Sequence, residues 1–330
     1  MRHIVITSIH PPNKAIEGFA AMTESHVVVA GDLKSPSRWE HPNCTFLDVE
    51  AQKKLPHRIV EQLPWNHYGR KMLGYLHAIG NGATEIMDTD DDNVPYPGHG
   101  FPPDSGTFAT TRPDLDFVNI YRGYTSQPIW PRGLPLDQIQ ADDNSLLPEN
   151  LEPAQAPIGF WQGLADLDPD VDAIYRLTSN KPVTFDKGPP IVLAKGTWCP
   201  FNSQNTLCTR PELFPLLYLP AFVTFRFTDI LRGYVAQPIL QAAGYRLGFT
   251  CATVFQERNE HDLMRDFKDE IPFYLHARKC MAIVVAAVRA KSSITDNLLT
   301  AYKALHAEGI VPDEELPLLE AWIEDVSNLD

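Results

Sequence analysis

Four aspartates stand within the five residues from Asp88 to Asp92. The β-prone run 84–87 precedes them and a loop rich in proline and glycine (94–100) follows, so they mark the end of a predicted strand. Carboxylates this close repel one another unless a cation or solvent screens them. Oxygen ligands of this kind suit Mg²⁺ or Mn²⁺, and Mg²⁺ usually completes its shell with substrate phosphates. The cluster predicts a metal site, with a solvated acidic turn as the alternative.

Three side chains upstream of the cluster are candidates for nucleotide contacts. Asp32 follows the β-prone run 27–30, and open α/β sheets bind ligands in the loops after their strands; a nucleoside contact and a plain turn are both open for it. Arg70 and Lys71 lie in a helix predicted over 67–79, with Asn66 as its cap. Because adjacent residues on a helix point in different directions, at most one of the two cations is expected to reach a phosphate.

Arg132 lies in the sequence Trp-Pro-Arg-Gly-Leu-Pro at 130–135. The two prolines stiffen the backbone and the glycine permits close approach, which suits the presentation of one guanidinium to a phosphate or a carboxylate. An arginine in a surface turn is the alternative.

The run 196–205 combines polar amides with aromatic and apolar residues, a mixture that suits a sugar pocket. Its candidates are Asn202, Gln204 and Asn205, and Trp161 is a further substrate-binding candidate. A second acidic group, at 166–172, is interpreted as the start of a helix rather than as a metal site.

The segment 225–234 is predicted to open a helix with Thr228 as its cap. Asp229 and Arg232 would then face the same side one turn apart, so both are site candidates, with an i,i+3 salt bridge as the alternative. His261, in the charged segment 256–269, is either a further metal ligand or a surface residue.

Composition excludes several classes of protein. The chain has 330 residues and a net charge of -14, which argues against binding to nucleic acids or to anionic membranes. Its first residues enter a strand without an apolar leader, and the longest apolar run, 281–288, is too short to span a bilayer. We therefore expect a cytoplasmic protein. Its five cysteines lack a C-x-x-C spacing and are expected to be reduced thiols.

The order of predicted elements is typical of an α/β protein. Strands at 3–7 and 25–30 flank a helical segment at 16–22, and a further strand is predicted at 117–121. The polar stretch 142–156 has the character of a lid. We predict a catalytic domain over 1–270 and a helical packing or oligomerisation segment over 271–330. Apolar positions in that segment exceed what one helix face needs, which predicts a homo-oligomer.

Four stretches in order resemble the STELLO-type glycosyltransferase-like proteins: 66–93, 130–137, 163–177 and 199–265. More distantly, the motif order resembles the reversibly glycosylated polypeptides, which are UDP-arabinose mutases, and a bacterial GDP-fucose mutase. The resemblance implies a GT-A-like nucleotide-sugar fold with a mixed central sheet. It also places Asp90, Asp91 and Asp92 at the metal-binding triplet, Arg132 at the mutases' Arg-Gly-x-Pro arginine and Asp229 near their acidic pair. Unlike the Golgi STELLO-type proteins, this chain is expected to lack a membrane anchor, and it departs from the mutases in having Val-Phe-Gln at 254–256 where their histidine is expected.

The leading hypothesis is a metal-dependent mutase that interconverts the pyranose and furanose forms of a nucleoside-diphosphate sugar, with GDP-L-fucose first and UDP-arabinose second. Mg²⁺ or Mn²⁺ on the aspartates and Arg132 would stabilise the departing diphosphate. No G-x-G-x-x-G follows the first strand, so neither flavin nor NAD is expected. The first alternative is a GT-A glycosyltransferase with Asp229 as its base, and the second is a non-catalytic scaffold.

Overall fold

The computed structural model describes residues 1–141, 144–179, 181–257 and 262–329. The α-helices are α1 (Lys14–Ala20), α2 (Val49–Lys53), α3 (Ile59–Gln62), α4 (Lys71–Gly80), α5 (Ala173–Thr178), α6 (Thr228–Ala242), α7 (Leu263–Ala287), α8 (Ile294–Ala307) and α9 (Glu315–Ser327). The strands are β1 (Arg2–Thr7), β2 (Ser25–Ala30), β3 (Cys44–Leu47), β4 (Glu85–Thr89), β5 (Asn93–Pro95), β6 (Ser105–Thr110), β7 (Asp116–Phe117), β8 (Glu152–Asp166), β9 (Ile191–Val192), β10 (Thr197–Trp198), β11 (Asn205–Cys208) and β12 (Arg246–Gln256).

A mixed ten-stranded sheet organises the molecule, in the order β3-β2-β1-β4-β11-β8-β6-β9-β12-β5. Strands β3, β2, β1 and β4 are mutually parallel, whereas β11 runs antiparallel to both β4 and β8. Strand β8 also pairs with β12 in parallel. This architecture confirms the predicted α/β, GT-A-like fold with C-terminal helices.

The parallel half of the sheet brings three strand ends to one edge. Thr7 at the end of β1 pairs with Ala30 at the end of β2, and Val5 pairs with Asp88 of β4. Loops that follow adjacent parallel strands meet at the same edge and form a crevice there. The residues after Thr7, Ala30 and Thr89 are therefore neighbours in space.

Helix α4 packs closely on this half of the sheet. A Cβ built on its Gly74 would lie 2.6 Å from a methyl group of Val5, so only glycine allows this approach between helix and strand. The first residue of α4, Lys71, is thereby held directly beneath the end of β4.

The predicted boundaries of several elements need correction. The helix predicted over 67–79 begins as a 3-10 turn (Tyr68–Arg70), and its cap is His67 rather than Asn66, because the His67 Nδ1 accepts the Gly69 amide. Thr228 is the first residue of α6 and does not cap it; Phe227 occupies that position without a side-chain hydrogen bond. Asp172 does cap α5, as the interpretation of 166–172 required.

Two predicted stretches are only partly as expected. The strand predicted over 117–121 is limited to Asp116–Phe117, and a 3-10 turn (Ile120–Gly123) follows. In the stretch 142–156, the residues from Glu152 onward are the beginning of β8, where they pair with β6. Residues 142 and 143 lie outside the described ranges.

The C-terminal helices pack on the rest of the chain. Val284, Leu298 and Leu305, which the sequence suggested as surplus apolar positions, are fully or almost fully buried in the main core. Intramolecular packing accounts for these three residues, whereas Ile283, Val288 and Leu299, the other apolar positions behind the expectation, are only partly buried. The homo-oligomer stays a prediction. None of the described helices is both long enough and apolar enough to cross a membrane.

Candidate active site

Asp88, the first carboxylate of the cluster, is fully buried and paired on both sides. Its Oδ1 lies 2.7 Å from the Lys71 Nζ and its Oδ2 lies 2.6 Å from the Arg232 Nη1. The cations that relieve repulsion at this position therefore come from the chain itself. Arg232 was predicted to bind substrate or to pair with Asp229; instead it is buried against Asp88 and the carbonyl oxygen of Asn202.

Asp90 faces the cleft but is held from behind. Its Oδ1 accepts hydrogen bonds from Lys71 and from the hydroxyl of Tyr68, each at 2.8 Å. Burial and repulsion from Asp88 outweigh these contacts and raise the pKa of Asp90 above its usual value. Lys71 was a candidate for contact with a phosphate, and its complete burial behind Asp90 excludes that role in this conformation.

Asp91 and Asp92 line the cleft with fewer restraints. The Ser8 hydroxyl donates to the Asp91 Oδ2 at 2.5 Å, and the Gln256 amide donates to the Asp92 Oδ2 at 2.8 Å. Burial, followed by repulsion from Asp90, raises the pKa of Asp92 to about 7. A neighbouring cation would reverse that effect.

Two adjoining cavities open at this edge of the sheet. The first, the N-terminal cavity, has a volume of about 340 Å³ and is lined by the ends of β1 and β2 and by residues 66–68. The second, the acidic cavity, has a volume of about 220 Å³ and contains Asp90, Asp91 and Asp92. Thr7, Tyr68, Asp91 and Phe225 line both. A larger surface groove of about 780 Å³ at residues 38–48 shares no residue with either cavity.

Arg132 lies in the wall of the acidic cavity, clamped between two aspartates. Its Nε donates to the Asp170 Oδ1 at 2.7 Å, and its Nη2 donates to the Asp229 Oδ2 at 2.8 Å. Burial opposes the charged form, but the two carboxylates outweigh burial and raise the pKa of Arg132. For Asp229 burial is likewise outweighed, here by Arg132, so its pKa is lowered. The surface-turn alternative is thus wrong, and so is the picture of a guanidinium left free for a ligand.

Two further arginines complete this wall. Arg176 pairs with Asp168 at 2.7 Å, and Arg226 pairs with Glu270 at 2.9 Å. The Nε of Arg176 is buried without a hydrogen-bond partner. Both side chains line the acidic cavity.

The predicted amides are divided between the cavity and the interior. Gln204 reaches the acidic cavity, where its amide donates to the Gln256 side chain at 2.7 Å. Asn202 supports the wall by donating to the Asp170 Oδ2 at 2.5 Å. Asn205 is fully buried and donates to the Thr253 hydroxyl at 2.7 Å, away from both cavities.

Trp161 does not line either cavity. Side chains alternate along β8. The ring of Trp161 is fully buried in a second, smaller core cluster, where it contacts Phe108. The next residue, Gln162, points to the site side and donates to the Asn202 side chain at 2.6 Å. The sequence therefore indicated the correct strand but, in Trp161, a residue on the face that points away from the site.

Asp32 and Arg70 line the N-terminal cavity and serve its framework. The Asp32 carboxylate accepts the backbone amides of Asn66 and His67 at 2.8 and 3.0 Å. The guanidinium of Arg70 is bound by the Gln52 side chain and the Leu63 carbonyl, and burial lowers its pKa to about 10. Asp32 thus holds the loop at residues 66 and 67 in place, and it also borders the space of the N-terminal cavity.

Sequence reasoning missed two aromatic residues that the structure places in the shared wall. Tyr68 directly precedes the two cations that were considered, and Phe225 directly precedes Arg226. The Phe225 ring is 49% exposed and makes edge contacts with Tyr68 and His67. Single exposed apolar side chains are common on protein surfaces, so it is the place of Phe225 in the lining of both cavities that singles it out. A sequence does not show that placement.

The carboxylates fit a divalent cation only with help from a ligand. Among the described residues, no group of three His, Cys, Asp or Glu side chains is placed to hold a metal by protein groups alone. Asp90 and Asp92 nevertheless offer oxygen ligands in one cavity, and Mg²⁺ commonly combines one or two carboxylates with phosphates and water. His261 lies outside the described residues.

Comparisons with known proteins agree with one part of the resemblance. A family model described as STELLO glycosyltransferases matches residues 226–330. The chain is 27% identical over 343 residues to "Probable glycosyltransferase STELLO2" of Arabidopsis thaliana, and the alignment covers 98% of this chain and 44% of that protein. It is 26% identical over 350 residues to "Probable glycosyltransferase STELLO1" of the same plant, with the same coverage of 98% and 44%. The chain thus spans less than half the length of these relatives. The predicted resemblance to STELLO-type proteins is confirmed, and the resemblance to the mutases stays a prediction.

Proposed function

We propose that this chain transfers the sugar of a nucleoside-diphosphate sugar to an acceptor. The observation that carries the proposal is the pair of adjoining cavities with a shared wall, one at the ends of β1 and β2 and the other lined by three consecutive aspartates. The relatives are named as probable glycosyltransferases, which favours this activity over the mutase hypothesis.

The two cavities divide the donor between them. The N-terminal cavity would take the nucleoside, with the exposed ring of Phe225 available for an apolar contact with a base or a sugar. The acidic cavity would take the diphosphate and the sugar. A donor bound in this way crosses the shared wall formed by Thr7, Tyr68, Asp91 and Phe225.

Asp90 and Asp92 are the residues that would hold Mg²⁺ or Mn²⁺ against the diphosphate. Such a cation neutralises the negative charge that develops on the leaving diphosphate. The lining of the acidic cavity contains five aspartates and three arginines, so its carboxylates outnumber its guanidiniums by two. An anionic diphosphate therefore needs the cation to enter this cavity.

The chain's own cations act mainly by holding the walls in place. Arg132 fixes the start of α6 through Asp229 and the Arg226 carbonyl. Arg226 borders the cavity with one carboxylate partner, and its side chain is 12% exposed against 5% for Arg132, so it is better placed than Arg132 to meet a diphosphate. Asp229 is a poor choice of general base, because a lowered pKa makes a weaker proton acceptor.

The test is an incubation of the full chain with a panel of nucleoside-diphosphate sugars, GDP-L-fucose and UDP-arabinose first, with Mn²⁺ and simple glycosides as acceptors. Chromatography should show free nucleoside diphosphate and a glycosylated acceptor. A donor isomer with its diphosphate intact would instead support the mutase, and binding without any turnover would support the scaffold.

Two matched variants connect that activity to the site. Asp92→Asn preserves shape but removes the charge, so turnover and Mn²⁺-dependent binding of the nucleotide should fall at least about tenfold, as loss of a charged contact implies. Asp313→Asn makes the same chemical change at a side chain that is 92% exposed and remote from both cavities. Equal losses in both variants, or in neither, would contradict the assignment of the site.

A further inference from the structure

The side chains of Tyr68, Lys71 and Asp88 lie directly behind the metal-site carboxylates. The Lys71 Nζ lies 2.7 Å from the Asp88 Oδ1, 2.8 Å from the Asp90 Oδ1 and 2.8 Å from the Tyr68 hydroxyl oxygen. The Tyr68 hydroxyl in turn donates to the same Asp90 Oδ1 at 2.8 Å. A lysine ammonium has three N–H donors; here it donates to the Asp90 Oδ1 and to the Tyr68 hydroxyl, and it forms an ion pair with the Asp88 Oδ1.

Both hydrogen bonds to the Asp90 side chain end on one oxygen. Lys71 and Tyr68 approach Oδ1 from the buried side, whereas 30% of the Asp90 side chain is exposed and it lines the acidic cavity. The second oxygen, Oδ2, is therefore the one available to a ligand in that cavity. An aspartate without these two donors would be free to rotate about its terminal torsion, which has broad energy wells.

Lys71 is itself held in place by its ion pair with Asp88. Asp88, its second carboxylate partner, binds Arg232 at 2.6 Å, and Arg232 binds the Asn202 carbonyl oxygen at 2.5 Å. These contacts connect the beginning of α4 to α6 through the end of β4. Burial would lower the pKa of Lys71, but Asp88 and Asp90 outweigh it and raise this pKa, so the ammonium stays charged.

We propose that Tyr68 and Lys71 are positioning residues, which orient Asp90 so that its Oδ2 meets a divalent cation in the acidic cavity. The inference rests on the proposed function, since it requires a cation at Asp90. Tyr68 carries a further consequence because it lines both cavities: the wall that borders the nucleoside also sets the orientation of a metal ligand. Groups that support a metal ligand from behind typically contribute about 10- to 100-fold to metal affinity.

Tyr68→Phe tests the role without changing any charge. It removes one of the two hydrogen bonds to Asp90 and keeps the ring that contacts Phe225. Calorimetric titration of the Mn²⁺ complexes of UDP and of GDP into the full chain, in separate samples, should show affinity weakened roughly tenfold in the variant. Tyr302→Phe is the matched control, because it removes a buried tyrosine hydroxyl in α8, outside both cavities. It should leave Mn²⁺ affinity unchanged.

The outcomes separate this inference from the proposed function. If wild type binds Mn²⁺ with either nucleotide and Tyr68→Phe binds it equally well within twofold, the positioning role is wrong while the proposed site stands. If wild type binds Mn²⁺ in neither sample, the metal site fails and the positioning role with it. Thermal unfolding of the three proteins shows whether a loss of affinity merely follows a loss of fold; a purely structural tyrosine would lower the unfolding temperature and leave the affinity of the folded protein unchanged.

Discussion

The carboxylates of the cleft are balanced to a large extent by cations from the same chain. Lys71 and Arg232 neutralise Asp88, and Arg132 lies between Asp170 and Asp229. A sequence shows these charges but not their pairing, since Asp88 and Arg232 are 144 residues apart. The acidic end of β4 could therefore be predicted, whereas the roles of Lys71, Arg132 and Arg232 could not.

The first prediction concerns the clamp around Arg132. Arg132→Ala leaves two buried aspartates without their partner, so the free energy of unfolding should fall by about 3–5 kcal/mol. Arg278 is the matched control, because it also pairs with two aspartates, Asp116 and Asp137, but its side chain is 41% exposed. Arg278→Ala should cost about 1 kcal/mol or less. Urea unfolding followed by circular dichroism measures both, and similar losses would contradict the assigned burial.

The second prediction concerns the pH dependence of stability at Asp172. This buried carboxylate caps α5, and burial raises its pKa to about 6. Because the folded-state pKa lies above the unfolded one, ionisation costs stability: the cost is absent below about pH 4 and complete above about pH 6. A shift from 3.8 to about 6 corresponds to roughly 3 kcal/mol.

The stability of Asp172→Asn relative to wild type should therefore rise by up to roughly 3 kcal/mol between pH 4 and pH 7, because only the wild-type carboxylate ionises. Asparagine can still accept the Tyr175 amide as a cap but loses the acceptor for the Trp130 Nε1–H, a cost that does not change with pH. The control is Asp262→Asn, an exposed cap at the start of α7 whose side chain accepts the Met264 and Arg265 amides. Urea unfolding at several pH values checks both variants. A difference at Asp172 that does not change with pH would show that its ionisation is not the cause.

At the scale of elements, the parallel opening of the sheet followed from the sequence because its apolar runs are continuous and its turns are marked. Which side chains of β8 face the site could not be predicted, since Trp161 and Gln162 are adjacent and both suit a sugar site by type alone. The alternation of a strand assigns them to opposite sides, but only after its register is known. Neighbouring β12 provides the third prediction.

Gly248 of β12 lies against the ring of Trp161, and a Cβ added there would be 2.2 Å from a ring atom. That ring is fully buried and cannot withdraw, so Gly248→Ala should destabilise the fold by about 1–3 kcal/mol through overpacking. Gly188→Ala is the control, since its Cβ would meet Tyr124 at an ordinary 3.6 Å. Thermal unfolding of both variants, with tryptophan fluorescence as the probe, decides the matter; equal stability would mean that the sheet adjusts more easily than its packing indicates.

At the scale of the whole molecule, the sequence predicts that the segment 271–330 is a helical packing or oligomerisation segment. In the structure, buried polar contacts as well as apolar ones join it to the body of the protein. The Trp322 indole donates to the Pro215 carbonyl at 2.9 Å, and Glu315 accepts the amides of Ala221 and Phe222 at 3.2 and 2.8 Å. Helices α8 and α9 should therefore unfold together with the sheet.

The fourth prediction tests that cooperation at Glu315. Its carboxylate is fully buried and also accepts the Tyr218 hydroxyl. Glu315→Ala leaves the amides of Ala221 and Phe222 without an acceptor, whereas the Tyr218 hydroxyl keeps the Glu315 carbonyl oxygen at 3.4 Å. Each unsatisfied donor costs about 1–3 kcal/mol, so the free energy of unfolding should fall by at least about 2 kcal/mol. Glu320→Ala on the same helix, at a side chain 56% exposed, should change it by about 0.5 kcal/mol or less.

The decisive readout is the shape of the unfolding curve rather than its midpoint alone. If α9 belongs to one cooperative unit, Glu315→Ala shifts a single transition that fluorescence and circular dichroism report at the same urea concentration. If the C-terminal helices form a unit of their own, the variant should separate the two probes, because α9 would detach while the sheet and its carboxylates remain folded. In that second case Mn²⁺-dependent nucleotide binding would survive the mutation at urea concentrations where helix content has already fallen.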